Sequence, residues 1–236
     1  MKKKNIILNF ILVFLFIISF NIKSYGQEEN NANKYKNAVT FGVSHSLNMT
    51  SFIGTMPSYS TGNIYQTIKI TSPRYTMDFG MVIDYFLNEK FSVQSEFLIS
   101  FTGANFTSKK YLYNEVGKIE LSEYQTYRLN YFKFPFSLNF YPNKRIYLLG
   151  GMYFSTLISA DINYDYYSNT DVIDDVNYID YGTLFGIGFN MPYFKLGFQY
   201  SYGLSKVIND ENSNLHNSMF QFILRFKFYS DIRRNN

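Results

Sequence analysis

From residue 39 onward, apolar and polar side chains alternate with a period of two, and the pattern restarts eight times. In the first segment Val39, Phe41, Val43, His45 and Leu47 share one face, opposite Thr40, Gly42, Ser44, Ser46 and Asn48. The second sets Tyr75, Met77, Phe79, Met81, Ile83 and Tyr85 against Thr76, Asp78, Gly80, Val82, Asp84 and Phe86. In the third, Phe91, Val93, Phe97, Ile99 and Phe101 oppose Ser92, Gln94, Glu96, Ser100 and Thr102. The fourth runs over about 122–140, and its second half sets Phe132, Phe134, Phe136, Leu138 and Phe140 against Lys133, Pro135, Ser137 and Asn139. Its first half keeps no apolar face, so it is expected to run beyond a bilayer or to carry a bulge. Pro135 cannot donate to a ladder and marks a second place for a bulge. The fifth segment, 146–159, is apolar on both faces, and its phase stays open. The sixth, 179–190, opposes Tyr181, Thr183, Phe185, Ile187 and Phe189 to Gly182, Leu184, Gly186 and Gly188. The seventh opposes Phe194, Leu196, Phe198, Tyr200 and Tyr202 to Lys195, Gly197, Gln199, Ser201 and Gly203. The eighth, 219–228, opposes Phe220, Phe222, Leu224, Phe226 and Phe228 to Gln221, Arg225 and Lys227. Period two predicts strands, and no helical period appears in this region.

The connections alternate in length. Those at 87–90, 141–145 and 190–193 are tight turns, whereas 49–73, 103–121, 160–178 and 205–216 read as long polar loops. Eight antiparallel strands with this rhythm predict an all-β, up-and-down transmembrane barrel, with short periplasmic turns and long external loops. A soluble, lipocalin-like barrel would show the same alternation with its apolar face inward. The polar face separates the two. It is Gly, Ser, Thr, Asn and Gln with isolated charges, which suits a narrow lumen better than a water-exposed surface. The opposite face is bulky and aromatic, as a lipid-facing band is.

That band is predicted to hold Phe41, Phe79, Phe97, Phe134, Phe136, Phe185, Phe198, Phe220, Phe222, Phe226 and Phe228. The same phasing sends Asp78, Asp84 and Glu96 into the lumen with Lys133, Lys195, Arg225 and Lys227, and Asp180 is a further candidate. Unpaired charges are costly in a narrow interior, so paired networks that plug the lumen are expected. Eight strands enclose just enough space for side chains, which argues against a wide pore.

Composition fits this picture. The chain has 25 Phe, 23 Tyr, no Trp and no Cys, so no disulfide framework or lipid-anchor cysteine is available. Met1-Lys2-Lys3-Lys4, an apolar run to Phe20, and Ser24 and Gly26 read as a signal peptide over 1–26. Its loss removes Lys2, Lys3, Lys4 and Lys23, so the 22 basic residues become 18 against 18 acids. The basic balance therefore belongs to export and gives no support to nucleic-acid binding. The expected organisation is a leader (1–26), a flexible periplasmic N-terminus (27–37), the barrel (38–229) and a periplasmic tail (230–236).

Several pieces carry a family resemblance. They are the hairpin Asp84-Tyr85-Phe86-Leu87-Asn88-Glu89-Lys90-Phe91-Ser92-Val93-Gln94-Ser95-Glu96, the strand Tyr131-Phe132-Lys133-Phe134-Pro135-Phe136, and Leu149-Gly150-Gly151. Asp180-Tyr181-Gly182, Gly186-Ile187-Gly188 and Tyr200-Ser201-Tyr202-Gly203-Leu204 follow in order. Over nearly the whole chain after the leader, this order resembles the small outer-membrane β-barrel proteins of the Bacteroidota, the PorT-like or outer membrane protein beta-barrel domain family. The resemblance implies residence in a Gram-negative outer membrane, contact with its lipid and lipopolysaccharide, and handling by the barrel-assembly machinery. By analogy with PorT, it also raises a role in a type IX-like secretion complex. One departure concerns the end of the chain. Such barrels usually end on an aromatic residue, but here Phe228-Tyr229 is followed by seven residues including Arg233-Arg234.

Candidate chemistry is sparse. His216 and Ser218 share a face at the end of the eighth segment, and eight-stranded lipid A deacylases use an outward His-x-Ser pair, with Asp210 or Glu211 available here as a third member. A polar loop end is the simpler reading. His45 lies on the apolar face. Asp161-Ile162-Asn163-Tyr164-Asp165 starts like a calcium loop, but Tyr166 stands at the glycine position and Val172 at the terminal Glu position. No cofactor or metal site is expected. The reading that results is a non-enzymatic outer-membrane scaffold that presents its external loops, with a narrow channel, a secretion component and a lipid A-modifying enzyme as alternatives.

Overall fold

The computed structural model describes residues 38–56, 59–61, 64–114, 117–164, 167–210 and 213–229. The expected leader, periplasmic N-terminus and tail lie outside the described residues.

Ten strands form one antiparallel sheet: β1 (Val39–Thr55), β2 (Tyr59–Thr61), β3 (Ile64–Phe86), β4 (Phe91–Asn114), β5 (Gly117–Phe140), β6 (Ile146–Tyr164), β7 (Tyr167–Asp171), β8 (Ile179–Asn190), β9 (Phe194–Gly203) and β10 (Asn214–Tyr229). A short 3-10 helix, Ile173–Asp175, follows β7. Eight strands close a ring in the order β1, β10, β9, β8, β6, β5, β4, β3, and β3 returns to β1. The two short strands, β2 and β7, only extend β3 and β6.

Register follows the alternation read from the sequence. Phe41 lies opposite Ile83 on one side and Phe228 on the other, so three lipid-facing side chains meet at one height. The apolar set points outward throughout: Phe198 is 61% exposed, while its neighbours across the pleat, Gly197 and Gln199, are buried. Outside rings pack across strands, as in Phe97 with Phe134 and Tyr200 with Phe220, at centroid distances of 5.0 and 4.6 Å. Such pairs add to the strand ladder what area burial in lipid cannot.

The fifth segment, ambiguous in sequence, is phased by its partners. In β6, Tyr147, Leu149, Tyr153 and Leu157 point into the lumen, and Leu148, Met152, Phe154 and Ile158 point out. Apolar residues on both faces are tolerated because the inward ones close the two ends of the lumen.

Three expectations need correction. First, three of the four segments read as long loops, 49–73, 103–121 and 160–178, are largely strand. Every described residue of 103–121 lies in β4 or β5, with Tyr113 opposite Lys118 and Asn114 opposite Gly117. Polar composition suggested loops there, but Thr, Tyr and Ile suit a pleated strand as well as an apolar run does. β10 likewise begins at Asn214, before the 219 expected. Second, Pro135 causes no register shift: Ser95 pairs with Phe136 and Leu98 with Lys133, one continuous register across the gap. The irregularity sits instead at Asn130/Tyr131, opposite Ile158 of β6. Third, 160–178 and 205–216, read as separate polar loops, meet. Val176 and Ile208 form a β-bridge, and the Val207 amide donates to Leu215 O at 2.7 Å. The two segments thus fold over the barrel mouth.

Candidate functional site

The lumen is filled in three layers. At the periplasmic end, Phe86, Tyr141, Tyr147, Leu149, Tyr153 and Leu184 pack together. Lys195 Nζ lies among these rings, 5.7, 5.4 and 5.3 Å from the centroids of Phe86, Tyr141 and Tyr147, and is ion-paired with Asp84. Ser92 donates to Asp84 Oδ1 at 2.7 Å, and Asn139 donates to Ser92 Oγ at 3.1 Å. Room for the tyrosines comes from glycine. A Cβ on Gly197 would stand 2.5 Å from the Tyr147 hydroxyl, and one on Gly182 would stand 2.7 Å from the Tyr153 ring.

The middle layer is polar and continuous. Arg225, 1% exposed, donates from Nη2 and Nε to Glu96 Oε1 at 2.7 and 3.1 Å, and Gln94 donates to the same oxygen at 2.9 Å. Gln221 donates to Asp78 Oδ2 at 2.9 Å, and Asn48 donates to Asp78 Oδ1 at 2.6 Å. Asp180 accepts from Tyr153, Ser205 and Asn217 at 3.1, 2.6 and 2.8 Å. A cavity of about 10 Å³ beside Lys133, Asp180 and Asn217 is the size of a single water.

The sequence-predicted charges therefore divide. Asp78, Asp84, Glu96, Lys133, Lys195 and Arg225 are all buried in the lumen. Only two ion pairs join them among the described residues, Lys195 with Asp84 and Arg225 with Glu96. Asp78 and Asp180 are met by amides and hydroxyls. Lys133 contacts the Tyr153 ring, 4.4 Å from its centroid, and Met219 Sδ at 3.8 Å. Lys227 stands apart from the network. It caps the β8–β9 turn, donating to Asn190 Oδ1 at 2.5 Å and Met191 O at 2.7 Å. Near the end of β10, its long side chain reaches turn acceptors more readily than the lumen carboxylates.

The external layer had no counterpart in the sequence reading. Phe52, Ala104, Phe106, Leu129, Tyr131, Leu157 and Ala160 line the upper lumen, and Val176, Val207 and Leu215 pack down onto them. The apolar residues of 172–176 and 207–208, hidden among Asn and Asp in sequence, were the available signal. Above this cap lies a cavity of about 300 Å³, lined by Met56, Ile68, Tyr127, Ile162, Val172, Val176 and Ile208 with Asp175, Asn209, Asp210 and Ser213.

His216 and Ser218 are not brought together. The His216 ring nitrogens face Ser205 O at 2.9 Å and Asn214 Oδ1 at 3.1 Å, while Ser218 Oγ pairs with the Tyr200 hydroxyl at 3.0 Å. Asp210 lines the cavity, and Glu211 lies outside the described residues. His45 points outward from β1. Asp161 lies in β6 opposite Arg128, and no group of three metal-ligating side chains occurs among the described residues.

A ring of eight strands with an aromatic exterior is the architecture that outer-membrane proteins share. The profile of the outer membrane protein beta-barrel domain matches residues 25–209. The chain belongs to this family. As a member of the outer membrane protein beta-barrel domain family, it resides in the outer membrane. Among solved structures, it is similar to Neisserial surface protein A, with 13% identity, a TM-score of 0.46, and coverage of 80% of this chain and 97% of that one. It is also similar to OprG of Pseudomonas aeruginosa, with 11% identity, a TM-score of 0.42, and coverage of 85% and 100%. The attachment invasion locus protein Ail of Yersinia pestis, crystallised with a heparin analogue, matches with 13% identity, a TM-score of 0.40, and coverage of 82% and 99%. No curated protein matches the chain.

Proposed function

We propose that the protein is a non-enzymatic scaffold of the outer membrane, exported by a signal peptide over 1–26, whose barrel holds an external sheet for a partner protein. One observation carries this reading. Pairing of β1 with β3 stops at Thr50–Arg74, whereas β4 and β5 stay paired out to Asn114–Gly117. The β3–β4–β5 sheet thus projects well past the closed ring. Its outer face carries Tyr65, Tyr111, Tyr113 and Tyr124, with Lys118 Nζ 3.9 Å from the centre of the Tyr111 ring. Rigid aromatic side chains are what protein interfaces favour. The filled lumen supports the scaffold reading over the channel alternative, since side chains occupy the axis from the aromatic floor to the external cap.

The resemblance to PorT-like proteins favours, as an alternative to a stand-alone scaffold, a partner in an outer-membrane secretion complex of the type IX kind. The test is purification from native outer membrane in gentle detergent, for the intact protein and for a form whose hairpin is shortened between Phe106 and Gln125. A protein set that co-purifies with the intact form and is lost on shortening is expected. An identical set with both forms, or none with either, would sink the proposal.

A further inference from the structure

We infer that the cavity above the cap is a binding site for a small amphiphilic amine, with an apolar body and one ammonium group. The size fits. An apolar cavity of about 150 Å³ accepts a benzene-sized guest, and this one, partly open to solvent, offers about 300 Å³. Seven of its lining residues are aliphatic, Met or Tyr, and they come from the end of β1, from β3, β5 and β6, and from both folded-over segments. The walls are held by backbone pairing: the Asn209 amide donates to Asp175 O at 3.0 Å, and the Asn177 amide donates to Val207 O at 2.9 Å. A site so stitched is largely formed before a ligand arrives, which is the usual condition of small-molecule pockets.

The polar part of the lining sets the class of ligand. Asp175 and Asp210 both line the cavity. Ser213 adds a small residue to the same wall. The two carboxylates favour a cation: an anionic head would be repelled by them, and a wholly apolar guest would strip them of water without return.

The experiment uses the barrel in lipid nanodiscs with 13C-labelled Ile and Met methyl groups. The probes are 2-phenylethylamine, 2-phenylethanol and phenylacetate, which share a ring and differ in the head group. Saturable shifts are expected at Met56, Ile68, Ile162 and Ile208 with the amine, with the alcohol about tenfold weaker and the acid without effect. The outward-facing Ile83 and Ile187 report partition into lipid and should not saturate. Asp175→Asn combined with Asp210→Asn should weaken the amine about tenfold, and Val172→Phe should abolish its binding by filling the space. Absence of saturable shifts with the amine overturns the inference. So do equal shifts with phenylacetate, or an affinity unchanged in the double variant.

Discussion

Arg225 and Glu96 show how much a single lumen residue is worth. Their charges are buried together, so removing one partner strands the other. Arg225→Met or Glu96→Gln alone is expected to cost about 3–5 kcal/mol. The pair Arg225→Met with Glu96→Met should cost much less than the two singles together, because no charge is left behind. Urea unfolding followed by far-ultraviolet circular dichroism reads both. Gly197 is the converse case, where an added atom does the damage. Gly197→Val drives a side chain into the Tyr147 hydroxyl and should lower stability by about 1–3 kcal/mol, seen as a lower temperature for the gel shift of the folded barrel. At this scale the sequence was informative about direction but not about partner. Period two placed Arg225 and Asp78 inside. It could not say that Asp78 would be met by Asn48 and Gln221, because cross-barrel neighbours depend on stagger between strands far apart in sequence. Tyr147 and Tyr153 stayed hidden for a related reason: a strand apolar on both faces has no phase until its neighbours supply one.

The β4–β5 hairpin illustrates the element scale. Strand alternation was legible wherever one face met lipid, because there the contrast between faces is large. Beyond the bilayer both faces meet water or each other, the contrast fades, and 103–121 reads as loop although it pairs residue by residue. Near the tip, Lys109 Nζ meets Glu120 Oε1 at 2.6 Å. The hydrogen bond from Lys109 holds the Glu120 carboxyl below its usual range and lifts the lysine above its own. A carboxylate with a lowered folded value contributes above its unfolded value, and that contribution is lost as pH falls through the folded one. Carbon-detected NMR should therefore find Glu120 titrating below an ordinary glutamate, and Lys109→Met should move it back up. Both groups are well exposed, so the same variant should leave the unfolding midpoint of the barrel unchanged.

At the scale of the whole molecule, an aromatic floor, a polar middle and an apolar cap lie in series. Planar bilayers containing the pure protein should show no large steady conductance. Replacing 172–176 and 207–208 with Gly and Ser should still not open one, because the floor remains. A large open state in the wild-type protein would contradict the filled lumen. The closed ring was legible from strand count and loop rhythm; the cap was not, since two segments that read as separate polar loops form it only by meeting. One last consequence belongs to the seam between β1 and β10, where Thr40 pairs with Tyr229. The first strand made must wait for the last before its second edge is satisfied. The Arg225–Glu96 and Gln221–Asp78 contacts, 129 and 143 residues apart in sequence, also join β10 to strands near the start. They act as a latch that can engage only once the entire chain has crossed the inner membrane. Until then the partly translocated polypeptide carries an open edge and a stripe of unsheathed phenylalanine, both of which favour aggregation.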